Sequence, residues 1–154
     1  QLEQIDYLVG KRKQIATKYL EALDSCDFLK PQKVPKGFIH SYWTFAAKYE
    51  GKERKGVNWY DFRKKFMEFG GDGIYAAWTL VYNEPIMKMI SEEGKYFKEI
   101  KGQGRYHRGF LKNVKCPNAE MIQPKLMQFT ANQGIEKDMD IQINALKRTI
   151  NFFN

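Results

Sequence analysis

The stretch 38–69, FIHSYWTFAAKYEGKERKGVNWYDFRKKFMEF, carries the change of period that decides the fold class. In its first twelve residues Ile39, Trp43, Phe45, Ala47 and Tyr49 share one face, while His40, Tyr42, Thr44 and Lys48 share the other. That alternation predicts a strand over 38–49, half-buried on the first face. EGKERKG reads as a charged turn. Asn58, followed three residues later by Asp61, then resembles a helix cap before an apolar stripe of Trp59, Phe62, Phe66 and Phe69, and Gly70 and Gly71 end that helix.

Working outward, Leu2, Ile5, Leu8, Val9, Ile15, Tyr19, Leu20 and Leu23 recur at helical spacing and predict a long amphipathic helix from Gln1 to Cys26. Gly10 interrupts it at a cost of roughly 1 kcal/mol against Ala, which points to a bend or close packing there. Pro31 and Pro35 mark an irregular connection. At the other end Ile135, Met139, Ile143, Leu146, Ile150 and Phe153 alternate spacings of three and four, the stripe of a closing helix. Between these, Gly73 to Tyr82 is aromatic and β-branched enough for a strand or extended loop, and Pro85 opens a short helix. Pro117 opens another, reaching to about Lys125, and 126–130 adds a brief strand. The expected fold is α+β: a small, mainly antiparallel sheet flanked by helices, with long helices at both chain ends.

With 154 residues, 43% hydrophobic and 15% aromatic, the chain has the material for a core, and residues 1–154 read as one domain. It contains no run near the ~20 apolar residues of a membrane span and no charged-then-apolar leader, which argues for a cytoplasmic address and against a membrane. The first residue is Gln, and the helical pattern begins without a cap or polar leader, as expected of a cut inside a longer chain. Cys26 and Cys116 are too few for a disulfide framework or a zinc site.

A self-contained enzyme needs a nucleophile, base or metal cluster, and here the candidates are few. His40 and His107 show no repeated histidine–carboxylate spacing, which argues against a metal. Cys116 before Pro117 sits where a helix dipole favours a thiolate, and His107 could approach it; a structural cysteine beside a helix start is the plainer account. GGDG and GQGRYHRG match neither a dinucleotide fingerprint nor a phosphate-binding loop.

The net charge of +8 favours an acidic partner. Its densest source is KYFKEIKGQGRYHRGFLKNVK, where Lys95, Lys98, Lys101, Arg105, Arg108, Lys112 and Lys115 oppose the single acid Glu99 with Tyr96, Phe97, Tyr106 and Phe110 interleaved. A solvated loop is the first account of it, a contact for a diphosphate the second. Nucleic acid comes third, because elsewhere both signs alternate on ordinary helix faces. Tyr75, Trp78 and Tyr82 in GIYAAWTLVYNEP are costly to leave in water; they belong either to the core or to a cleft that another domain completes.

In this order the pieces resemble the C-terminal region of the DegT/DnrJ family of sugar aminotransferases, of fold type I, over essentially the whole chain. QLEQID with KRKQIATKYLEAL resembles the family's segment just past its domain junction. His40, Tyr42 and Trp43 in IHSYWTF match its His-x-Tyr strand start, and DFRKKFMEFGGDGI its helix-Gly-Ile element. Cys116, Pro117, Ala119 and Glu120 match its Cys-Pro-x-Ala-Glu helix start. GGDGIYAAW and LMQFTAN look most like the perosamine synthase-like branch, which acts on GDP-linked 4-keto-6-deoxy sugars. Two departures stand out: Tyr82 precedes NEP where many relatives have a Y-x-P-L-H stretch, so no sugar-contacting histidine carries over, and Gln128 and Phe129 replace a leucine-proline strand.

The resemblance implies a parent enzyme that moves an amino group, typically from glutamate, onto a nucleotide-linked keto sugar, using pyridoxal phosphate bound to a lysine of a large domain absent from this chain. The carboxylate for the pyridine nitrogen and the phosphate cup are likewise expected upstream, so this chain alone is expected to bind no cofactor and to be inactive. Its expected partners are that large domain, the nucleotide-sugar substrate and a second copy in a homodimer. Tyr75, Trp78 and Tyr82 are expected to border the sugar-nucleotide cleft, and Arg105 or Arg108 to approach the diphosphate. The alternative is an independent basic module that binds nucleic acid or a phosphorylated ligand.

Overall fold

The computed structural model describes residues 2–72, 74–76, 79–93, 109, 111–131 and 136–154, the side chains of Tyr75, Ala76, Glu93 and Glu136 excepted. The chain forms two compact units: residues 1–76 with 125–154, and residues 77–124.

In the first unit a four-stranded antiparallel sheet is built from β1 (Leu29–Pro31), β2 (Thr44–Tyr49), β3 (Tyr75–Ala76) and β4 (Leu126–Thr130), in the order β1-β2-β4-β3. Phe45 lies opposite Phe129, Ala47 opposite Met127, and Leu29 opposite Tyr49, so the period of two places one apolar row on one face. Helices α1 (Ile5–Ala22), α3 (Trp59–Glu68) and α6 (Glu136–Phe153) cover that row. From α1, Tyr19 stacks on Phe45 at 4.9 Å between ring centres. From α3, Phe66 meets Phe129 edge-on at 5.9 Å and Phe62 packs against Phe28 and Tyr49. From α6, Met139, Ile143, Leu146 and Ile150 are buried. The architecture is the α+β fold expected, with long helices near both chain ends.

Strand β2 is half the predicted length, and the reason lies at Tyr42. Its backbone adopts a left-handed conformation, φ 51°, and its amide donates to His40 Nδ1 at 2.8 Å. That kink breaks the alternation: Phe45, Ala47 and Tyr49 keep the buried face, but Ile39 is 83% and Trp43 69% exposed.

EGKERKG is a short helix rather than a turn: α2 (Gly51–Lys55) is held by the Glu50–Arg54 pair at 3.0 Å and ended by Gly56 at φ 69°. Gly51 is required there, since a Cβ would lie 2.2 Å from the ring and hydroxyl of Tyr49. Helix α1 passes through Gly10 without interruption, and nothing lies within 4 Å of a Cβ there, so the expected close packing is not found.

The cap at Asn58 is as predicted, its side chain accepting from the Asp61 amide at 3.0 Å. Trp59 and Phe69 pack at the edge of the core, and Gly70 ends the element at φ 96°. Ile135 of the closing stripe falls outside the described residues.

The second unit contains a 3-10 turn over Val81–Asn83, α4 (Pro85–Glu93) and α5 (Pro117–Ile122). Pro85 and Pro117 each stand at the first helical position, where the missing N–H costs nothing. Gly109 and the turn 111–114 are fixed to α4 through Ser91, a buried residue whose carbonyl accepts from the Gly109 amide at 2.6 Å and whose hydroxyl accepts from the Leu111 amide at 3.2 Å.

Candidate functional site

Two hollows are candidates among the described residues. One, in the first unit, holds about 320 Å³ and is lined by Gly70, Asp72, Thr130, Asp138 and Gln142 among others. Its polar groups serve one another. Thr130 Oγ1 donates to Asp72 Oδ2, the Asp72 amide donates to Gln142 Oε1 at 2.7 Å, and Tyr19 donates to the Thr130 carbonyl at 2.9 Å. Burial, with the Asp72 charge nearby, pushes the Tyr19 phenol far above its ordinary range. A network so closed clasps α1, β4 and α6 together and leaves little to offer a ligand.

The other hollow lies in the second unit. It is a cleft of about 630 Å³, within the range of small-molecule sites. Tyr82 and Asn83 come from the 3-10 turn, Lys88, Ser91 and Glu92 from one face of α4, and Leu111, Lys112 and Val114 from the turn that Ser91 fixes. Gly109 enters that turn at φ 80°, and a Cβ there would meet the Lys112 stem at 3.1 Å. The bare glycine therefore lets the lysine lie back across its own turn. Lys88 and Lys112 are both exposed, and among the described residues neither forms an ion pair. The cleft thus offers two ammonium groups, a phenol and an amide.

Tyr82 is held from behind. Its hydroxyl donates to Glu120 Oε1 at 2.6 Å, and the same oxygen accepts from the Cys116 amide at 3.1 Å. Glu120, at the fourth position of α5, thus reaches back to the N-cap amide. The hydrogen bond to Glu120 pushes the Tyr82 phenol up to about 12, and the same bond, with the Cys116 amide, holds the Glu120 carboxyl below the usual carboxylate range.

Of the residues predicted from sequence to line a site, Tyr82 lies in the cleft. Tyr75 is in β3, its backbone paired with Gln128, and its side chain falls outside the description. Trp78, Arg105, Arg108 and His107 lie outside the described residues. Cys116 is exposed, whereas Cys26 is buried, its thiol pushed up by burial. His40 Nδ1 accepts from the Tyr42 amide while Nε2 faces Gln32 Oε1 at 3.2 Å, so the ring braces a loop through both nitrogens.

Sequence reasoning passed over Lys88, Ser91 and Glu120 as site residues and took Lys112 for one charge among many. A signal for the first two was present: Lys88, Ser91 and Glu92 in PIMKMISEE fall at i, i+3 and i+4, one polar face of a short helix.

No family model matches the chain, and no curated protein matches it. Among solved structures, the crystal structure of the aminotransferase TlmJ from Streptoalloteichus hindustanus is similar, with a TM-score of 0.60 and 15% sequence identity. The fold is aminotransferase-like. The match covers 100% of this chain and 35% of that one, so the chain spans about a third of the length of that structure. No helix among the described residues is long and apolar enough to cross a membrane.

Proposed function

We propose that the chain is the C-terminal domain of a pyridoxal-phosphate-dependent aminotransferase of the DegT/DnrJ type, and that it shapes the site for a nucleotide-linked keto-deoxy sugar. The observation that carries this reading is the cleft: in a chain of aminotransferase-like fold, Tyr82 and Asn83 stand beside Lys88 and Lys112, which form no ion pair among the described residues. That combination suits a ligand with a polar sugar at one end and phosphates at the other. Lysine ammonium groups act as point charges toward phosphate, and the α4 face and the fixed turn carry one each. Arg105 and Arg108 belong to the same basic segment as Lys112, and on this reading they add to the phosphate end.

The cleft does not fit the cofactor itself. A lysine that holds pyridoxal phosphate as an imine works from a desolvated pocket, and Lys88 and Lys112 are both exposed. No step of amino transfer is placed on this chain; its part is binding and orientation. The cofactor-binding domain would then belong to another part of the polypeptide, and the exposed Leu2, Ile5 and Tyr7 in the first turns of the N-terminal helix are apolar surface on which it could seat.

The test is the affinity of the chain for GDP-mannose, a nucleotide sugar of the expected class, in wild type and in Lys88→Ala and Lys112→Ala. Each lysine variant is expected to weaken binding about 3- to 10-fold, the scale of one exposed charge-assisted contact. Unchanged affinity in the double variant would remove the cleft from the account. Tighter, steeply salt-dependent binding of single-stranded RNA would favour the basic-module alternative.

A further inference from the structure

We infer that Tyr82 meets its ligand as a hydrogen-bond acceptor, and that Glu120 is the positioning residue that imposes this polarity. The inference rests on the reading of the cleft as a nucleotide-sugar site, and deepens it by specifying what the ligand must present there.

A phenol has one proton to donate and lone pairs to accept with. The Tyr82 proton is committed to Glu120 Oε1 at 2.6 Å, in the range of charge-assisted O–H···O⁻ bonds. The carboxylate cannot readily turn away, because the same oxygen is held by the Cys116 amide at 3.1 Å. An ionised carboxylate is acceptor-only, so the direction of the bond is fixed while Glu120 keeps its charge. The lowered range of its carboxyl group keeps it charged at neutral pH. What remains of Tyr82 for the cleft is the ring face and a lone pair on Oη. The group opposite it must therefore be a donor: a sugar hydroxyl or a base N–H satisfies it, whereas a carbonyl or phosphate oxygen meets a second acceptor and is repelled.

The two lysines complete the polarity. Lys88 and Lys112 are donors only, and they take the anionic part of the ligand. The site therefore sorts its ligand end from end. Phosphate goes to the lysines, and a hydroxyl-bearing, donor-rich part goes to Tyr82. Glu120→Gln keeps an oxygen for the Cys116 amide but removes the charge that draws the phenol proton away from the cleft.

The experiment uses the 154-residue chain labelled with [¹³Cζ]tyrosine, in wild type, Glu120→Gln and Tyr82→Phe, the last assigning the Tyr82 resonance. Two quantities are read: the pH at which the Tyr82 resonance titrates, and the ratio of affinities for GDP-mannose and GDP. In wild type the resonance titrates near 12, and the hexose hydroxyls give GDP-mannose a preference of roughly 2- to 10-fold, the scale of one neutral hydrogen bond. In Glu120→Gln the resonance should return toward about 10, the ordinary phenol value, and in Tyr82→Phe the preference should fall to about 1 while GDP affinity holds. A titration unmoved by Glu120→Gln overturns the inference and leaves the cleft reading standing, and so does a preference that survives Tyr82→Phe. A wild-type chain that binds neither compound at millimolar concentration overturns the nucleotide-sugar reading, and the ligand polarity falls with it.

Discussion

Gly71 and Phe66 offer a measurable test of the packing that holds α3 on the sheet. A Cβ on Gly71 would sit 2.3 Å from one ring carbon of Phe66 and 2.5 Å from two others, against the ~3.5–4.0 Å of ordinary carbon contact. The ring would have to move by more than 1 Å, yet Phe66 is fully buried and is met edge-on by Phe129 at 5.9 Å. Gly71→Ala should therefore cost about 1–3 kcal/mol, the usual cost of overpacking. Phe66→Ala removes the ring and should cost about 3–5 kcal/mol.

Together they should not add. The methyl group enters the space the ring has left, so the double variant should cost no more than about 0.5 kcal/mol beyond Phe66→Ala alone. The coupling then comes to roughly 0.5–3 kcal/mol in favour of the pair. Urea unfolding of the four proteins, read by far-ultraviolet circular dichroism, supplies the cycle. Costs that sum to within about 0.5 kcal/mol would mean that Gly71 does not lie against this ring.

Asn58→Ala should cost about 1 kcal/mol through loss of the cap bond to the Asp61 amide, with Asn58→Ser retaining most of it; equal costs for the two would argue against a side-chain cap. Tyr19→Phe should cost about 1–3 kcal/mol, because the Thr130 carbonyl loses its donor in a buried setting; urea midpoints check this. Lys48 at 2.8 Å and Arg54 at 3.0 Å hold the Glu50 carboxyl down to about 2. A carboxyl lowered by folding stabilises the fold above its unfolded value, near 4.3, and the contribution is lost as pH falls through the folded value. The stability gap between wild type and Glu50→Gln should accordingly close between about pH 4.3 and 2, and a gap constant over that window would contradict the pairing.

Much of the first unit was legible in the sequence because its elements obey a single period. The stripes Phe62–Phe66 and Met139–Ile143–Leu146–Ile150 read as helices and are helices, and β4 was legible from five residues. Legibility failed where a local contact outweighed the pattern. At Tyr42 a left-handed residue stabilised by a hydrogen bond to His40 turned Ile39 and Trp43 outward, and no alternation rule carries that information. At 50–56 a run of charges looked like a turn because part of its pairing, Asp27 to Arg54 and Lys55 and Lys125 to Glu53, lies outside the run.

The site was harder to find for a related reason. Tyr82 stood out as a costly aromatic, but the groups that give it a role come from three other places in the chain: Lys88 on α4, Lys112 in the turn, and Glu120 on α5. The dense charge of the basic segment drew attention to its arginines, whereas Lys112 is singled out only once Ser91 fixes its turn against α4.

The most direct test of the central claim is to record amide spectra of the ¹⁵N-labelled chain while GDP-mannose is added. The account predicts saturable shifts at Ser91, Leu111, Lys112 and the amides beside Tyr82, with the hollow around Asp72 and Gln142 unmoved. Shifts centred on Asp72 and Gln142, or none at millimolar ligand, would contradict the claim that this cleft is the nucleotide-sugar site.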